Sequence, residues 1–285
     1  MYFLGLNDIF PIVKNISKIN NNHKIFFKRQ LCRFLAQLCL LLPLVLFLTQ
    51  CSNSGKNNER LLIATAANMQ FAISELSEQF TRETGIACET IVSSSGKLTA
   101  QIMAGAPYDF FVSADMSYPE TLFKEGFTKN TPKIYAFGHL VVWTLQDLAL
   151  DDLTSLEPRH VALANPETAP YGKAAQEAMA ALGIDSLWQD QLVYGESIAQ
   201  VNQFVSTGAA TFGFTAKAVV MSPDLASTGK WVAVADSLYT PIAQGAVVLN
   251  GDESKSLKAA KFYEFLFSES AKQILHKFGY TPAEQ

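Results

Sequence analysis

Three consecutive serines, Ser93, Ser94 and Ser95, stand between an apolar segment and the pair formed by Gly96 and Lys97. This order of residue types predicts a strand that ends at the serines and a helix that begins there. The first turn of a helix carries backbone N–H groups without intrahelical partners, and serine hydroxyls add donors at the same point. Such a helix start attracts an anion. The chain therefore presents a candidate anion site.

A nucleoside triphosphate site at these serines is excluded by residue spacing. A Walker A loop needs a glycine five residues before the Gly-Lys pair and a serine or threonine directly after it. Here those two positions hold Ile91 and Leu98. We interpret Lys97 as a solvent-exposed side chain and not as a ligand.

Serine hydrolase chemistry needs a histidine base and an acid that orients it. The sequence has no G-x-S-x-G elbow to pair with its four histidines, His23, His139, His160 and His276. There is also no H-E-x-x-H motif or tight cluster of zinc ligands. We predict a binding protein without a cofactor. A hydrolase with a serine nucleophile remains the alternative from another class.

Four predicted helix starts supply the candidate binding residues, which are Asn68, Ser95, Tyr171 and Ile198. Their hydroxyl, amide and backbone N–H groups could together hold a small tetrahedral anion. No fixed positive charge is needed, because helix N-termini carry partial positive charge. A rigid cage of neutral donors selects an anion by size, and it disfavours one that must itself donate a proton, such as hydrogen phosphate.

Strands and helices alternate from residue 61 onward, which predicts an α/β fold with mostly parallel sheets and helices on both faces. We predict lobe one from residues 61–136 plus 241–285, and lobe two from residues 137–240. The chain then crosses between the lobes twice, which suits a hinge, and ligands bind at the carboxyl ends of strands. Two serial lobes with one crossing are the alternative.

The N-terminus has the pattern of an export segment. Three basic residues precede the apolar run at residues 34–49, which is short for a membrane span. The sequence Leu-Thr-Gln-Cys at residues 48–51, where that run ends, resembles a lipobox, and this resemblance implies lipidation at Cys51. We predict an export segment at residues 1–51 and a polar tether at residues 52–60. An ordinary signal peptide and a transmembrane anchor remain alternatives.

Charge and cysteine content exclude further classes of protein. Beyond residue 50 the chain has 16 basic and 25 acidic residues, a net charge of −9, which disfavours a nucleic-acid partner. Beyond Cys51 the sequence contains only Cys88, so no disulfide can form within the globular part. We interpret Cys88 as a buried, unreactive thiol.

The motifs as a set resemble those of the periplasmic molybdate-binding protein of bacterial ABC transporters. The resemblance rests on LLIATAANM at 61–69, SSSGKLTAQIMAGAPYDFFVSADM at 93–116 and PYGKAAQEAM at 170–179, and it extends over nearly all of 61–280. It implies the type 2 periplasmic binding-protein fold, in which two α/β lobes joined by a two-strand hinge hold the ligand in a cleft. It further implies a monomer that delivers molybdate or tungstate to an ABC permease and its ATPase.

The resemblance also implies roles for individual residues. Asn68 and Ser95 would donate to the oxyanion from lobe one. Tyr171 would donate a backbone N–H and a hydroxyl, and Ile198 would donate a backbone N–H. Some family members carry a further tyrosine where this chain has Thr215, so Tyr171 would replace that hydroxyl. A receptor for sulfate or another tetrahedral oxyanion, and a regulatory anion sensor, remain alternatives. The expected location is the periplasm or, through a lipid anchor, the cell envelope.

Overall fold

The computed structural model describes residues 60–150 and 152–284. These residues belong to one compact unit, which begins at Asn58. The predicted export segment at residues 1–51, its lipidation site Cys51 and all but the last residue of the predicted tether lie outside the described residues. Among the residues that are described, no helix is long and apolar enough to cross a bilayer.

The described residues form eleven strands and nine α-helices. The strands are β1 (Leu61–Ala66), β2 (Cys88–Ser93), β3 (Phe110–Val112), β4 (Lys133–Gly138), β5 (Leu140–Thr144), β6 (Val161–Ala164), β7 (Leu192–Gly195), β8 (Phe212–Ala216), β9 (Lys230–Ala233), β10 (Ile242–Val248) and β11 (Thr281–Pro282). The helices are α1 (Gln70–Thr84), α2 (Ser95–Met103), α3 (Ser117–Lys124), α4 (Pro170–Leu182), α5 (Asp185–Trp188), α6 (Ile198–Ser206), α7 (Lys217–Val220), α8 (Glu253–Leu266) and α9 (Glu269–Lys277).

Two mixed sheets organise these elements. The first sheet has the order β11-β4-β10-β3-β1-β2, and the second has the order β7-β6-β8-β5-β9. Strands β1, β2 and β3 are parallel, as are β6, β7 and β8. Strand β10 is antiparallel to β3 and β4, and β5 is antiparallel to β8 and β9.

The prediction of mostly parallel sheets is therefore wrong outside the β-α-β repeats. Strand β10 enters the first sheet from the other lobe, so it runs against the strands that precede it. Strand β5 enters the second sheet from the first lobe in the same way. A strand that crosses a hinge has no crossover helix, which is the feature that makes neighbouring strands parallel.

Apolar side chains cover both faces of the first sheet. On β1, Ile63 packs with the terminal helices on one face, and Ala64 packs with α2 on the other. Phe80 meets Phe262 edge to face, with ring centroids 5.0 Å apart. Leu257 on α8 is apolar, but its side chain is 60% exposed. Helix α8 contacts the sheet along a narrower stripe than its apolar residues suggest.

The two crossings between the sheets form a polar hinge. The first crossing is His139, between β4 and β5, and the second runs through residues 234–241, between β9 and β10. His139 Nδ1 lies 3.2 Å from Asp236 Oδ1, and its Nε2 lies 2.9 Å from Thr281 Oγ1. Asp236 also accepts a hydrogen bond from the Tyr239 hydroxyl. These contacts place His139 at the hinge and occupy both of its ring nitrogens.

Cys88, at the start of β2, is half-buried. Burial raises the pKa of its thiol to about 11, and the nearby Ser77 and Thr81 side chains offset part of that rise. Since the thiolate is the reactive form, this thiol is unreactive near neutral pH.

Candidate functional site

A small pocket lies where the carboxyl ends of parallel strands from the two sheets face each other, as open α/β sheets require. The space open to the centre of a water-sized sphere is about 10 Å³. Its lining residues are Ala66, Ala67, Asn68, Ser94, Ser95, Ala114, Ala169, Pro170, Tyr171, Ser197 and Ile198. None of these side chains carries a charge. The pocket is smaller than the roughly 300–1,000 Å³ typical of sites for organic ligands.

The four predicted site residues come together in this pocket. Asn68, Ser95 and Tyr171 are each 1% exposed, and Ile198 is 3% exposed. Ser95 and Ile198 are the first residues of α2 and α6. Tyr171 is the second residue of α4. The first residue is Pro170, and a proline is tolerated there because the first N–H of a helix has no intrahelical partner. Each helix thus presents first-turn N–H groups to the pocket.

Neither Asn68 nor the serines cap their helices as the sequence suggests. Asn68 lies inside the 3₁₀ turn Ala67–Met69, so the N-cap of α1 is Met69, which makes no side-chain cap bond. The extra turn directs the Asn68 amide into the core. Ser94 is the N-cap of α2, yet its hydroxyl makes no capping bond either. These polar groups are therefore free of the local role that their sequence positions favour.

Two serine hydroxyls at the start of α2 are available as donors. Ser95 Oγ accepts a hydrogen bond from the backbone N–H of Ala114 at 3.0 Å, so its own proton can be donated elsewhere. The Ser94 hydroxyl is buried and has no partner in the described part of the chain. A buried hydroxyl without a hydrogen-bond partner lowers the stability of the fold, unless a ligand or a water molecule supplies that partner.

Tyr171 supplies a third hydroxyl, from the opposite lobe. Burial raises the pKa of this phenol well above its usual range, with smaller contributions from neighbouring tyrosines. The group therefore stays protonated at physiological pH. Its oxygen accepts a hydrogen bond from Gln244 Nε2 at 3.3 Å.

Sequence reasoning missed Ser94 and Ala114 as pocket residues, and it missed Gln244 behind them. A signal for Ser94 existed, because three serines in a row exceed what one helix start needs. Ala114 follows a strand, which is also a recognisable position. Gln244 had no local signal, because its partners Asn68 and Tyr171 are 176 and 73 residues away.

Direct contacts hold the lobes together around the pocket. The backbone N–H of Gly96 donates to Thr168 O at 2.9 Å. The Lys97 ammonium lies 2.6 Å from a carboxylate oxygen of Glu196 on the other lobe. The expectation that Lys97 is simply solvated is therefore incomplete, since its charge is paired at the rim. Small residues also pack across the cleft, because Ala67 and Ala114 join the core cluster of the second lobe.

Removing the Lys97 charge, as in Lys97→Met, should change ligand affinity by less than about fivefold. The side chains of Lys97 and Glu196 are 41% and 69% exposed, and an exposed ion pair contributes roughly 0.2–1 kcal/mol. Titration calorimetry at low and high salt would measure the change, and Glu196→Gln should show the same small loss. If Lys97→Met loses more than about tenfold in affinity and Glu196→Gln does not, the Lys97 ammonium contacts the ligand directly.

The arrangement lacks the groups that serine hydrolysis requires. Neither Ser94 nor Ser95 has a histidine as a hydrogen-bond partner in the described residues, and His139 is engaged at the hinge. Over the same part of the chain, no group of three or more His, Cys, Asp or Glu side chains could hold a metal ion. What the pocket offers is a set of neutral hydrogen-bond donors.

Residues 61–281 match the family described as bacterial extracellular solute-binding proteins. The chain belongs to this family. The molybdate-binding protein ModA of Azotobacter vinelandii is 36% identical over 224 residues, which cover 76% of this chain and 88% of that protein. The ModA of Rhodobacter capsulatus is 37% identical over 226 residues, covering 78% and 88% respectively.

The solved structure of the Azotobacter vinelandii periplasmic molybdate-binding protein has a TM-score of 0.75 to this solute-binding protein, with 32% sequence identity. The match covers 79% of this chain and 100% of that one. The predicted fold, two α/β lobes of the type 2 periplasmic binding proteins, is confirmed by this match. The prediction of an exported binding protein and not an enzyme is confirmed by the family.

Proposed function

We propose that this protein is the solute-binding component of a molybdate ABC transporter, which captures molybdate or tungstate and delivers it to a permease and its ATPase. The observation that carries the proposal is the small, uncharged pocket ringed by helix N-termini and hydroxyl donors. Partial positive charge at the helix ends attracts a dianion without a fixed counter-charge. The names of the relatives in Azotobacter vinelandii and Rhodobacter capsulatus support molybdate as that anion.

The proposed contacts come from both lobes. Ser95 donates its hydroxyl, Tyr171 donates a hydroxyl and a backbone N–H, and Ile198 donates a backbone N–H. Asn68 contributes its backbone N–H, because both hydrogens of its side-chain amide already have acceptors. We add Ser94, whose buried hydroxyl lacks a partner.

The number of donors is sufficient for tight binding. A hydrogen bond to a charged group contributes roughly 1.5–3 kcal/mol net, and six such bonds exceed the roughly 8 kcal/mol of a micromolar complex. The surplus offsets the loss of translational freedom and the ordering of the two lobes. The backbone N–H groups among these donors cannot accept a hydrogen bond from the ligand, so the site favours a fully deprotonated oxyanion.

The closing motion follows from the proposed lobes, residues 61–136 plus 241–285 and residues 137–240. Each lobe holds half of the donors, so the full set exists only when the cleft is closed. Binding therefore shifts the population towards the closed form, which the permease would recognise. We further propose that the protein acts as a monomer and is held at the cell envelope by lipidation of Cys51.

Melting curves with molybdate, tungstate, sulfate and phosphate would test the proposed function. Molybdate and tungstate at ~100 times their Kd should each stabilise the protein by about 2.7 kcal/mol, because they bind only the folded state. Phosphate should give a smaller shift than molybdate, because the backbone N–H groups of the pocket offer no acceptor to its remaining proton.

The other outcomes separate the alternatives. A shift with sulfate larger than that with molybdate would replace molybdate by sulfate as the ligand. The absence of any shift with millimolar molybdate or tungstate would refute the main proposal. Mass spectrometry of the membrane fraction, with Cys51→Ser as the control, would test the lipid anchor separately.

A further inference from the structure

A buried polar network connects the two halves of the pocket through Gln244, a fully buried residue of β10. Its Oε1 accepts hydrogen bonds from Asn68 Nδ2 at 2.9 Å and from the Tyr135 hydroxyl at 2.7 Å. Its Nε2 donates to the Tyr171 hydroxyl at 3.3 Å. Asn68 and Tyr171 line the pocket from opposite lobes, so one amide side chain contacts a pocket residue of each lobe.

The direction of every bond in this network follows from one backbone carbonyl. Tyr280 contacts the carbonyl oxygen of Asn68 at 3.0 Å, and since a carbonyl only accepts, the Tyr280 hydroxyl donates. The Tyr280 oxygen must then accept at its second contact, so the group that faces it is the NH₂ of Asn68, at 3.0 Å. The second hydrogen of that NH₂ points at Gln244, whose facing atom must be its oxygen.

The same logic fixes the proton of Tyr171. With Oε1 of Gln244 turned to Asn68, the NH₂ of Gln244 faces the Tyr171 hydroxyl and can only donate to it. The phenol oxygen therefore accepts this bond and keeps its single proton for another acceptor. Tyr171 is among the residues that line the pocket, which is where a bound anion would offer such an acceptor. We propose that Gln244 is a positioning residue that holds the Tyr171 hydroxyl as a hydrogen-bond donor to the bound oxyanion.

The packing around Gln244 leaves little freedom for another arrangement. A Cβ at Gly138 would lie 2.0 Å from the Tyr171 hydroxyl oxygen and 2.4 Å from Gln244 Nε2. The pairing of β10 with β4 also shifts register between Gln244 and Gly245. Such an irregularity re-aims side chains, here at the point where the chain returns from the second lobe. The backbone therefore holds the amide and the phenol in contact.

The proposal rests on the proposed function and specifies how the pocket distinguishes anions. A phenol whose oxygen already accepts from an amide offers its proton to the ligand, so it favours an oxyanion oxygen over a ligand group that must donate its own O–H. Without Gln244, the phenol could rotate its proton away and accept instead. Gln244 would thus act on selectivity through Tyr171 without touching the ligand.

A double-mutant cycle would test this role. Molybdate affinity would be measured by titration calorimetry for wild type, Gln244→Leu, Tyr171→Phe and the double variant. Each single change should weaken binding by about tenfold or more, as expected for a lost hydrogen bond to a charged group. The double variant should be no more than about threefold weaker than Tyr171→Phe, because Gln244 acts through the missing hydroxyl.

The proposal would be overturned if the affinity loss of the double variant equals the product of the two single losses. It would also be overturned if Gln244→Leu binds molybdate as tightly as wild type. If wild type binds none of the four oxyanions, the proposed function fails and this role fails with it. A Raman difference spectrum between wild type and Tyr171→Phe gives an independent readout that needs no change at Gln244. The tyrosine doublet should shift from acceptor-like to donor-like when molybdate is added, and an unchanged doublet would contradict the proposal.

Discussion

Ser95→Ala is expected to weaken molybdate binding by about ten- to 150-fold. The Ser95 hydroxyl is buried in the pocket, and its oxygen already accepts the Ala114 N–H, so its proton remains for the ligand. A hydrogen bond to a charged group contributes roughly 1.5–3 kcal/mol, which corresponds to that range of affinities. Titration calorimetry with molybdate would measure the loss.

Ser93→Ala provides the matched control in the same run of serines. Ser93 is the last residue of β2 and is not among the residues that line the pocket. Its replacement should leave affinity within about twofold of wild type, as is usual for a side chain without a special contact. If Ser95→Ala binds molybdate within threefold of wild type, the Ser95 hydroxyl only accepts the hydrogen bond from Ala114 and does not bind the ligand.

The same substitution should also lower the stability of the unliganded protein. Removing Ser95 Oγ leaves the buried N–H of Ala114 without its acceptor at 3.0 Å. A buried donor left unpaired costs roughly 1–3 kcal/mol, unless water enters the space. Affinity must therefore be compared at a temperature where both proteins are fully folded.

The local parts of this site could be predicted from sequence, because their signals are local. Polar residues at the junction of an apolar strand and a helix mark a helix start, and the chain has such junctions at Ser95, Tyr171 and Ile198. Parallel strands then bring these starts to one edge of each sheet. The pocket lies where this reasoning predicts, although the exact helix ends differ by one or two residues.

The rest depends on contacts between distant residues. Strand β10 is antiparallel to its neighbours because it crosses the hinge, and no residue pattern within β10 predicts this direction. The side chain of Asn68 has the sequence context of a helix cap, yet it bonds Gln244 and Tyr280, which are 176 and 212 residues away. Lys97 likewise finds Glu196 only because the lobes meet. Local propensity cannot decide such cases, because tertiary partners compete with the local cap.

Gly172→Ala is expected to destabilise the protein by roughly 2–3 kcal/mol or more and to weaken molybdate binding by at least about tenfold. A Cβ at residue 172 would lie 2.0 Å from the carbonyl oxygen of Ala164 and 3.0 Å from the backbone nitrogen of Pro166. These are backbone atoms at and just beyond the end of β6, so no side-chain rotation relieves the overlap. Overpacking of this kind typically costs roughly 1–3 kcal/mol, occasionally more.

The overlap must be relieved by moving the first turn of α4 away from β6, and that turn carries Tyr171. A shift of the turn displaces both the Tyr171 hydroxyl and the backbone N–H groups from the anion, so stability and affinity should fall together. Gly251→Ala is the matched control, because a Cβ there meets nothing closer than Lys255 Cβ at 4.0 Å. For a domain of this size, the expected loss in Gly172→Ala corresponds to a melting temperature lower by roughly 4–12 °C. A Gly172→Ala protein that melts and binds like Gly251→Ala would show that α4 does not approach β6 this closely.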